Sequence, residues 1–338
     1  MAYSLEKIAK EFGISKSAVS FIINGKAAEN RISPELEEKV KEFCESVNYR
    51  PNIHARRMGS RIVGNVGLLI NESMLADREN PFSDQIISEI TGGAVLAAAK
   101  KGFRVTIQLY DSSMDEEKVF EWLRNREVDG LIYYGDSFDW DWMKSFLEEK
   151  RCVVGIGIEP MDGVSTVNIN NSEMMYELTR RLVRRGRKQY CYVTGTDSYV
   201  GYTRLLGMYD AMKEGRAEAG EEFGLANHFC ADFSEDKAYA EFMKIPLNFD
   251  AVICENDDMA VGALRALRER GVRIPEDVSI IGADNIKATA YTDPPITTFD
   301  NMSTELGKTA FNELYRLING EKPRATELES RIIERNSI

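Results

Sequence analysis

Ser15, Lys16, Ser17 and Ser20 place three hydroxyls and one cation along a short helical pattern, where a solvated face would usually carry glutamates. Such groups suit contacts to the phosphate oxygens and base edges of nucleic acid. Further on, NYRPNIHARRMGSR (48–61) carries Arg50, Arg56, Arg57 and Arg61 with Met58 among them, and no acidic residue occurs from Ser46 to Asn71. An apolar side chain between arginines is what a minor-groove wedge requires, while simple packing against the following segment accounts for Met58 equally well. A third group stands just past several apolar runs: Asn71, Tyr133, Tyr134, Asp136, Asn170, Asn171, Asn256, Asp257, Asp284 and Asn285. Amides, acids and tyrosines of this kind suit a polyhydroxylated ligand. Taken singly, each serves as well as a helix cap or turn residue. Their concentration at strand ends is the point that local capping does not cover.

The elements that must position the first group are short. Leu5, Ile8, Ala9 and Phe12 fall at helical spacing with Ser4 as cap, and Gly13 permits a sharp turn. Ser15 caps a second helix that runs to Ile23 and ends at Asn24-Gly25. Ser33-Pro34-Glu35 starts a third, with Leu36, Val40, Phe43 and Val47 on its apolar face. This order fits a helix-turn-helix, and on the helix pattern alone a plain three-helix domain fits as well. Pro51 disfavours helix at Arg50, so a further helix is expected from about Asn52 to Met58, closed by Gly59. Under two turns long, it is too short to be stable alone and would order only against a partner.

Charge supports a local basic surface. The net charge is −12, yet residues 1–61 hold 11 Lys and Arg against 8 Asp and Glu, leaving 32 against 47 for the rest. A phosphate-binding surface needs positive potential where it touches, not across the whole chain. With 338 residues, more than one domain is expected. No apolar run approaches the roughly 20 residues that cross a bilayer, and no signal peptide is evident, so a cytoplasmic location is expected. Cys44, Cys152, Cys191, Cys230 and Cys254 are scattered without a C-x-x-C pair, which fits reduced thiols. His54 and His228 are the only histidines, which leaves little for histidine catalysis or metal binding.

From Ile62 onward, apolar runs alternate with amphipathic stretches. Strands are expected at 62–70, 103–110, 128–135, 152–158, 189–195, 249–256, 278–285 and 296–300, and helices include Ile86–Lys101, Met259–Arg270 and Glu305–Ile318. Alternation of this kind implies parallel sheets covered on both faces, here in two halves. Ligands of such sheets bind at the carboxyl ends of the strands, which puts a site in the cleft between the halves.

The strings Ile8-Ala9, Gly13-Ile14-Ser15, Val19-Ser20, Asn24-Gly25, Asn48-Tyr49-Arg50-Pro51-Asn52 and Ala55-Arg56-Arg57-Met58 resemble the lactose/galactose repressor (LacI/GalR) family of bacterial transcription regulators. RIPEDVSIIGADN (273–285) and ENDDMAVGALRAL (255–267) continue the likeness, as does RIIERNS (331–337) as a last strand. The resemblance implies an all-α helix-turn-helix domain (1–50), a hinge (51–61) and an α/β effector domain (62–338). That domain would have two doubly wound lobes like those of a periplasmic sugar-binding protein. Lobe 1 would take about 62–185 and 300–322, lobe 2 about 186–299 and 323–338. It implies a homodimer on a near-palindromic DNA operator, contacted by Ser4, Ser15, Lys16, Ser17, Ser20, Phe21, Asn24, Asn52, Ala55, Arg56 and Met58. Phe21 stands where arginine is common, which trades guanine readout for contact with a thymine methyl, and Met58 stands where the family wedge is leucine. Arg204, Asn256 and Asp284 match positions that hold an effector's polar groups, and Pro81-Phe82 matches a string whose aromatic covers one ligand face. The implied effector set is Asn71, Phe82, Tyr134, Asn170, Arg204, Asn256, Asp284 and Asn301, with a carbohydrate as effector. Trp140 and Trp142 are weaker candidates.

Rival readings are a solute-binding protein, which would need export, and a DNA-binding protein controlled by a nucleobase or by a protein co-regulator. Catalysis is not expected: Gly155-Ile156-Gly157 lacks the third glycine of a dinucleotide fingerprint because Pro160 stands there. No phosphate loop, H-E-x-x-H or G-x-S-x-G string occurs, and no cofactor or metal is implied. No leucine heptad tail follows Ser337, so a dimer is expected and not a tetramer.

Overall fold

The computed structural model describes residues 3–23, 25–49, 62–75, 79–110, 121–135, 152–220 and 222–338. The chain forms two compact units, Met1–Val63 and Gly64–Ile338.

In the first unit the expected helices form with their expected caps. Helix α1 (Leu5–Glu11) is capped by Ser4, whose Oγ accepts from the Lys7 N–H at 3.3 Å. Helix α2 (Lys16–Ile23) is capped by Ser15 Oγ, which accepts from the Ala18 N–H at 3.1 Å. Between them Gly13 takes φ +62°, a conformation that costs glycine little. Helix α3 (Pro34–Ser46) begins with proline in its first turn and Ser33 as cap. Ile8, Val19, Ile22 and Val40 are fully buried where the three helices meet, and the Phe12 and Phe43 rings meet edge to face at 5.3 Å. A 3₁₀ turn at Ala28–Asn30, closed by Arg31 at φ 56°, was not expected from the pattern. The helix expected over 52–58 lies outside the described residues.

The second unit opens with strands β1 (Asn65–Asn71), β2 (Arg104–Tyr110), β3 (Leu131–Tyr134), β4 (Val153–Ile156) and β5 (Ser165–Ile169). Then come β6 (Gln189–Thr194), β7 (Gly224–Cys230), β8 (Ala251–Cys254) and β9 (Ser279–Ile281). Strands β10 (Thr298–Phe299), β11 (Ala325–Leu328) and β12 (Ile332–Ile333) close the series. One sheet has the order β11-β5-β4-β3-β1-β2 and another β7-β6-β8-β9, with β10 and β12 as a separate pair. Every pairing within the two larger sheets is parallel. The central strands β3, β4 and β8 are buried at every position, as expected where helices cover both faces.

Those helices are α4 (Gln85–Lys100), α5 (Asn171–Arg184), α6 (Tyr199–Ala219), α7 (Glu235–Phe242), α8 (Asp257–Glu269) and α9 (Ser303–Ile318). Helices α4 and α9 cross at glycines: a Cβ on Gly93 would lie 2.1 Å from the Thr304 carbonyl, and one on Gly307 1.9 Å from that of Ile90. Neither backbone leaves room for a side chain at this crossing.

Three strands departed from the pattern. Strand β5 reads STVNI, too polar for an apolar run, yet all five residues are buried. Two of its polar groups are answered, Ser165 Oγ accepting from the Arg324 N–H and Asn168 Nδ2 donating to the Ile158 carbonyl. Strands β7 and β11 are sheet edges, and neither holds the apolar run that marks the central strands. Because β11 pairs with β5, the return to the second lobe falls after Leu328, not at 323 as expected.

Candidate functional site

In the first unit, Ser15, Lys16 and Ser17 are exposed on α2, Ser20 and Phe21 are half-buried, and Val19 and Ile22 face the core. The helix therefore presents its hydroxyls and its one cation on the side away from the core. Ser4 and Ser15 use their oxygens as acceptors in the caps, which leaves each hydroxyl proton to donate elsewhere. Lys16 Nζ lies 3.2 Å from Glu6 of α1, with both side chains about 60% exposed. Such a pair is worth little, so a phosphate can take over the ammonium cheaply. Asn24, Asn52, Ala55, Arg56 and Met58 lie outside the described residues, as do Asp136, Trp140 and Trp142.

In the second unit, the carboxyl ends of the two larger sheets frame one cleft, about 820 Å³ with its open mouth included. Tyr134, Asn168 and Asn301 line it beside the first sheet, and Ser198, Arg204, Phe233, Glu255, Asn256 and Asp284 beside the second. The reason these groups converge is register. Ile70 is level with Tyr134 in the first sheet, and Val193 with Cys254 in the second, so the loops after these strands emerge together.

Arg204, one turn into α6 and 4% exposed, organises the cleft. Its Nε donates to Asn171 Oδ1 at 2.8 Å, Nη1 donates to the Glu255 carbonyl, and Nη2 donates to Asp284 Oδ1 at 3.3 Å. Its guanidinium lies 5.0 Å from the centre of the Phe299 ring. A planar fork with fixed donors is what holds three acceptors at once, and a lysine would not. Glu255 is buried, with Oε1 accepting from the Tyr192 hydroxyl at 3.0 Å and Oε2 from the Gly195 N–H at 2.8 Å. Burial pushes its pKa up, and these hydrogen bonds offset part of that rise. Burial also pushes Asp284 up to about 7, with Arg204 pulling it down and the carboxylates of Asp84 and Asp258 raising it further. Asp284 takes φ 111° and Asn285 φ 57°, so the loop holding this carboxylate is in a backbone conformation that side-chain-bearing residues rarely adopt. Behind it Asp257 is wholly buried, accepts from the Ile286 N–H at 2.9 Å and is raised well above the usual carboxylate range by burial.

Of the eight expected effector residues, Tyr134, Arg204, Asn256, Asp284 and Asn301 line the cleft. Asn71, Phe82 and Asn170 do not. Asn71 donates to the Tyr133 hydroxyl at 3.0 Å and accepts from Ser73, and Asn170 donates to Glu173 at 2.6 Å and accepts from Ser330. Both groups of each amide are thus engaged within the protein. Phe82 sits in a 3₁₀ turn, 46% exposed. Asn256 does both jobs, since its Oδ1 caps α8 on Met259 while it lines the cleft.

Lining residues absent from the expected set include Asp84, Asn168, Ser198, Phe233 and Glu255, with Asn171 noted only as a strand-end residue. Glu255 adjoins Asn256 in the string ENDD, where burial gives no sequence signal. Phe233 follows β7, and a strand that goes unseen hides the loop after it.

A helix-turn-helix unit joined to a two-sheet α/β unit with an interlobe cleft is the plan of a ligand-controlled DNA-binding protein. The comparisons agree. Residues 4–52 match the bacterial regulatory proteins of the lacI family, and residues 179–338 match the periplasmic binding protein-like domain. The chain is 28% identical over 344 residues to the HTH-type transcriptional regulator CelR of Thermobifida fusca, covering 99% of this chain and 98% of that one. It is 28% identical over 346 residues to the HTH-type transcriptional repressor PurR of Escherichia coli, covering 99% and 96%. A solved transcriptional regulator CelR–cellobiose complex superposes with a TM-score of 0.72 at 26% identity, covering 99% of each chain. The chain carries a LacI-family helix-turn-helix domain and a periplasmic binding protein-like domain, and it is a DNA-binding transcriptional regulator.

Proposed function

We propose that this regulator is a cytoplasmic repressor that binds a near-palindromic operator as a homodimer and is controlled by a small polyhydroxylated effector in the cleft of its second unit. The observation that carries the reading is Arg204, whose buried fork holds Asn171, the end of β8 and the Asp284 loop together where groups from both lobes converge. A ligand seated there touches both lobes, so it binds one lobe angle better than another. That difference is all an effector needs to shift an equilibrium. A useful switch requires roughly 2–5 kcal/mol of differential affinity. The likeness to a regulator solved with cellobiose supports a sugar. The segment 51–61 carries the change to the DNA-binding unit, and no catalytic step belongs to the scheme.

The test uses Arg204→Lys, which keeps the cation and loses the fork. Operator binding should persist, while the stabilisation of the full chain by a sugar panel, read as a thermal shift, and the sugar's effect on operator binding should both disappear. An unchanged effector response would remove Arg204 from the site.

A further inference from the structure

Among the described residues that line the cleft, the acidic side chains are Asp84, Glu255 and Asp284, against Arg204 as the one basic side chain. The guanidinium is already committed: each of its three nitrogens donates within the protein, and Phe299 lies under its plane. An anion entering the cleft would meet Arg204 only beside Asp284, in competition with a carboxylate already paired there, and would then face Glu255. The Glu255 carboxylate is held fast by Tyr192 and Gly195. It also lies so close to α6 that a Cβ on Gly201 would come within 2.9 Å of Oε2. Each of its oxygens accepts one hydrogen bond from the protein and keeps a lone pair free for a donor. Carboxylates are acceptors only, and across the cleft, beside the first sheet, the amide oxygen of buried Asn168 has no partner among the described residues. The cleft asks for hydroxyl donors and repels negative charge.

Building on the polyhydroxylated-effector reading above, we propose that Glu255 and Asp284 make the cleft selective for uncharged polyols and exclude their anionic counterparts, such as sugar phosphates and uronic acids. Glu255 is the main excluding residue, because Asp284 is already paired with Arg204 while the Glu255 carboxylate is held only by neutral donors. Discrimination here comes from a repulsive element and not only from an attractive fit. A like charge at contact distance in a partly desolvated site weakens binding by about tenfold to a hundredfold.

Calorimetric titration of the full-length chain with cellobiose, glucose, glucuronate and glucose 6-phosphate tests this. The anionic sugars should bind at least about tenfold more weakly than the neutral ones. Glu255→Gln, and separately Asp284→Asn, should narrow that gap, each variant first shown to unfold cooperatively; should one not fold, the other decides. Glucuronate or glucose 6-phosphate binding the wild type as tightly as glucose overturns the proposal, as does a gap unchanged in every folded variant. If no sugar of either charge binds, the polyol reading itself fails, and inorganic phosphate then decides the charge rule. Phosphate bound by the E255Q/D284N double variant and not by the wild type supports it. Phosphate bound by the wild type and lost on Arg204→Gln overturns it, and so does phosphate bound by neither protein.

Discussion

Helix α2 and the interlobe cleft handle charge in opposite ways. On α2 the one cation stands in water beside Glu6, with both side chains mostly exposed. In the cleft, Arg204, Glu255 and Asp284 are all but removed from water and interlock through one another. A surface cation adapts to any phosphate and loses little when it leaves its partner. A buried set has one arrangement of low energy, and removing a member strands the others. The first surface is suited to attraction that salt screens, the second to discrimination that salt barely touches.

The strongest way to break this contrast is Arg204→Ala. It strands buried Asp284 and the Glu255 carbonyl, and should cost on the order of 3–5 kcal/mol in chemical denaturation. A loss under about 1 kcal/mol would show that the cleft is wetter than its burial implies. Next in size is pH. Asp284 has its pKa raised to about 7, so the folded protein holds this proton more tightly than the unfolded chain does. Its contribution is therefore full below about pH 4 and is lost as pH rises toward 7, on the order of 4 kcal/mol in all. Asp284→Asn should flatten the stability profile between about pH 4 and 7, and an unaltered slope there would contradict the assignment.

The smaller effects belong to the first unit. Ser4→Ala removes the α1 cap and should lower stability by about 1 kcal/mol, with Ser15→Ala similar on α2. Glu6→Gln frees Lys16 and should change stability by no more than about 0.5 kcal/mol. It should nevertheless tighten operator binding slightly at low salt, an effect that fades as salt rises. Tightening that persisted at high salt would mean Glu6 acts by something other than charge.

The same contrast explains what the sequence disclosed. The first unit was legible because its boundaries are chemical: Ser4, Ser15 and Ser33 cap helices, Gly13 turns the chain and Pro34 opens α3, each at its expected place. The central strands were legible as apolar runs. Strand β5 was not, since Ser165, Thr166 and Asn168 are buried by the sheet around them and not by their own character. In the cleft, sequence marked where strands end but not which of two neighbouring groups looks inward. Asn71 and Asn170 turn their amide oxygens to backbone N–H groups and Glu255 lines the cleft, a choice made by packing.

The strand Ala325–Leu328 completes the first sheet although it follows a long excursion through the second. The lobes are thus laced through one another along the gene, while the DNA-binding unit is a single uninterrupted stretch. Recombination can exchange the reader of DNA with one cut near residue 63, but a single lobe cannot be inherited or grafted as one contiguous segment. New ligand specificity must come from point changes inside the cleft or from replacing the whole second unit.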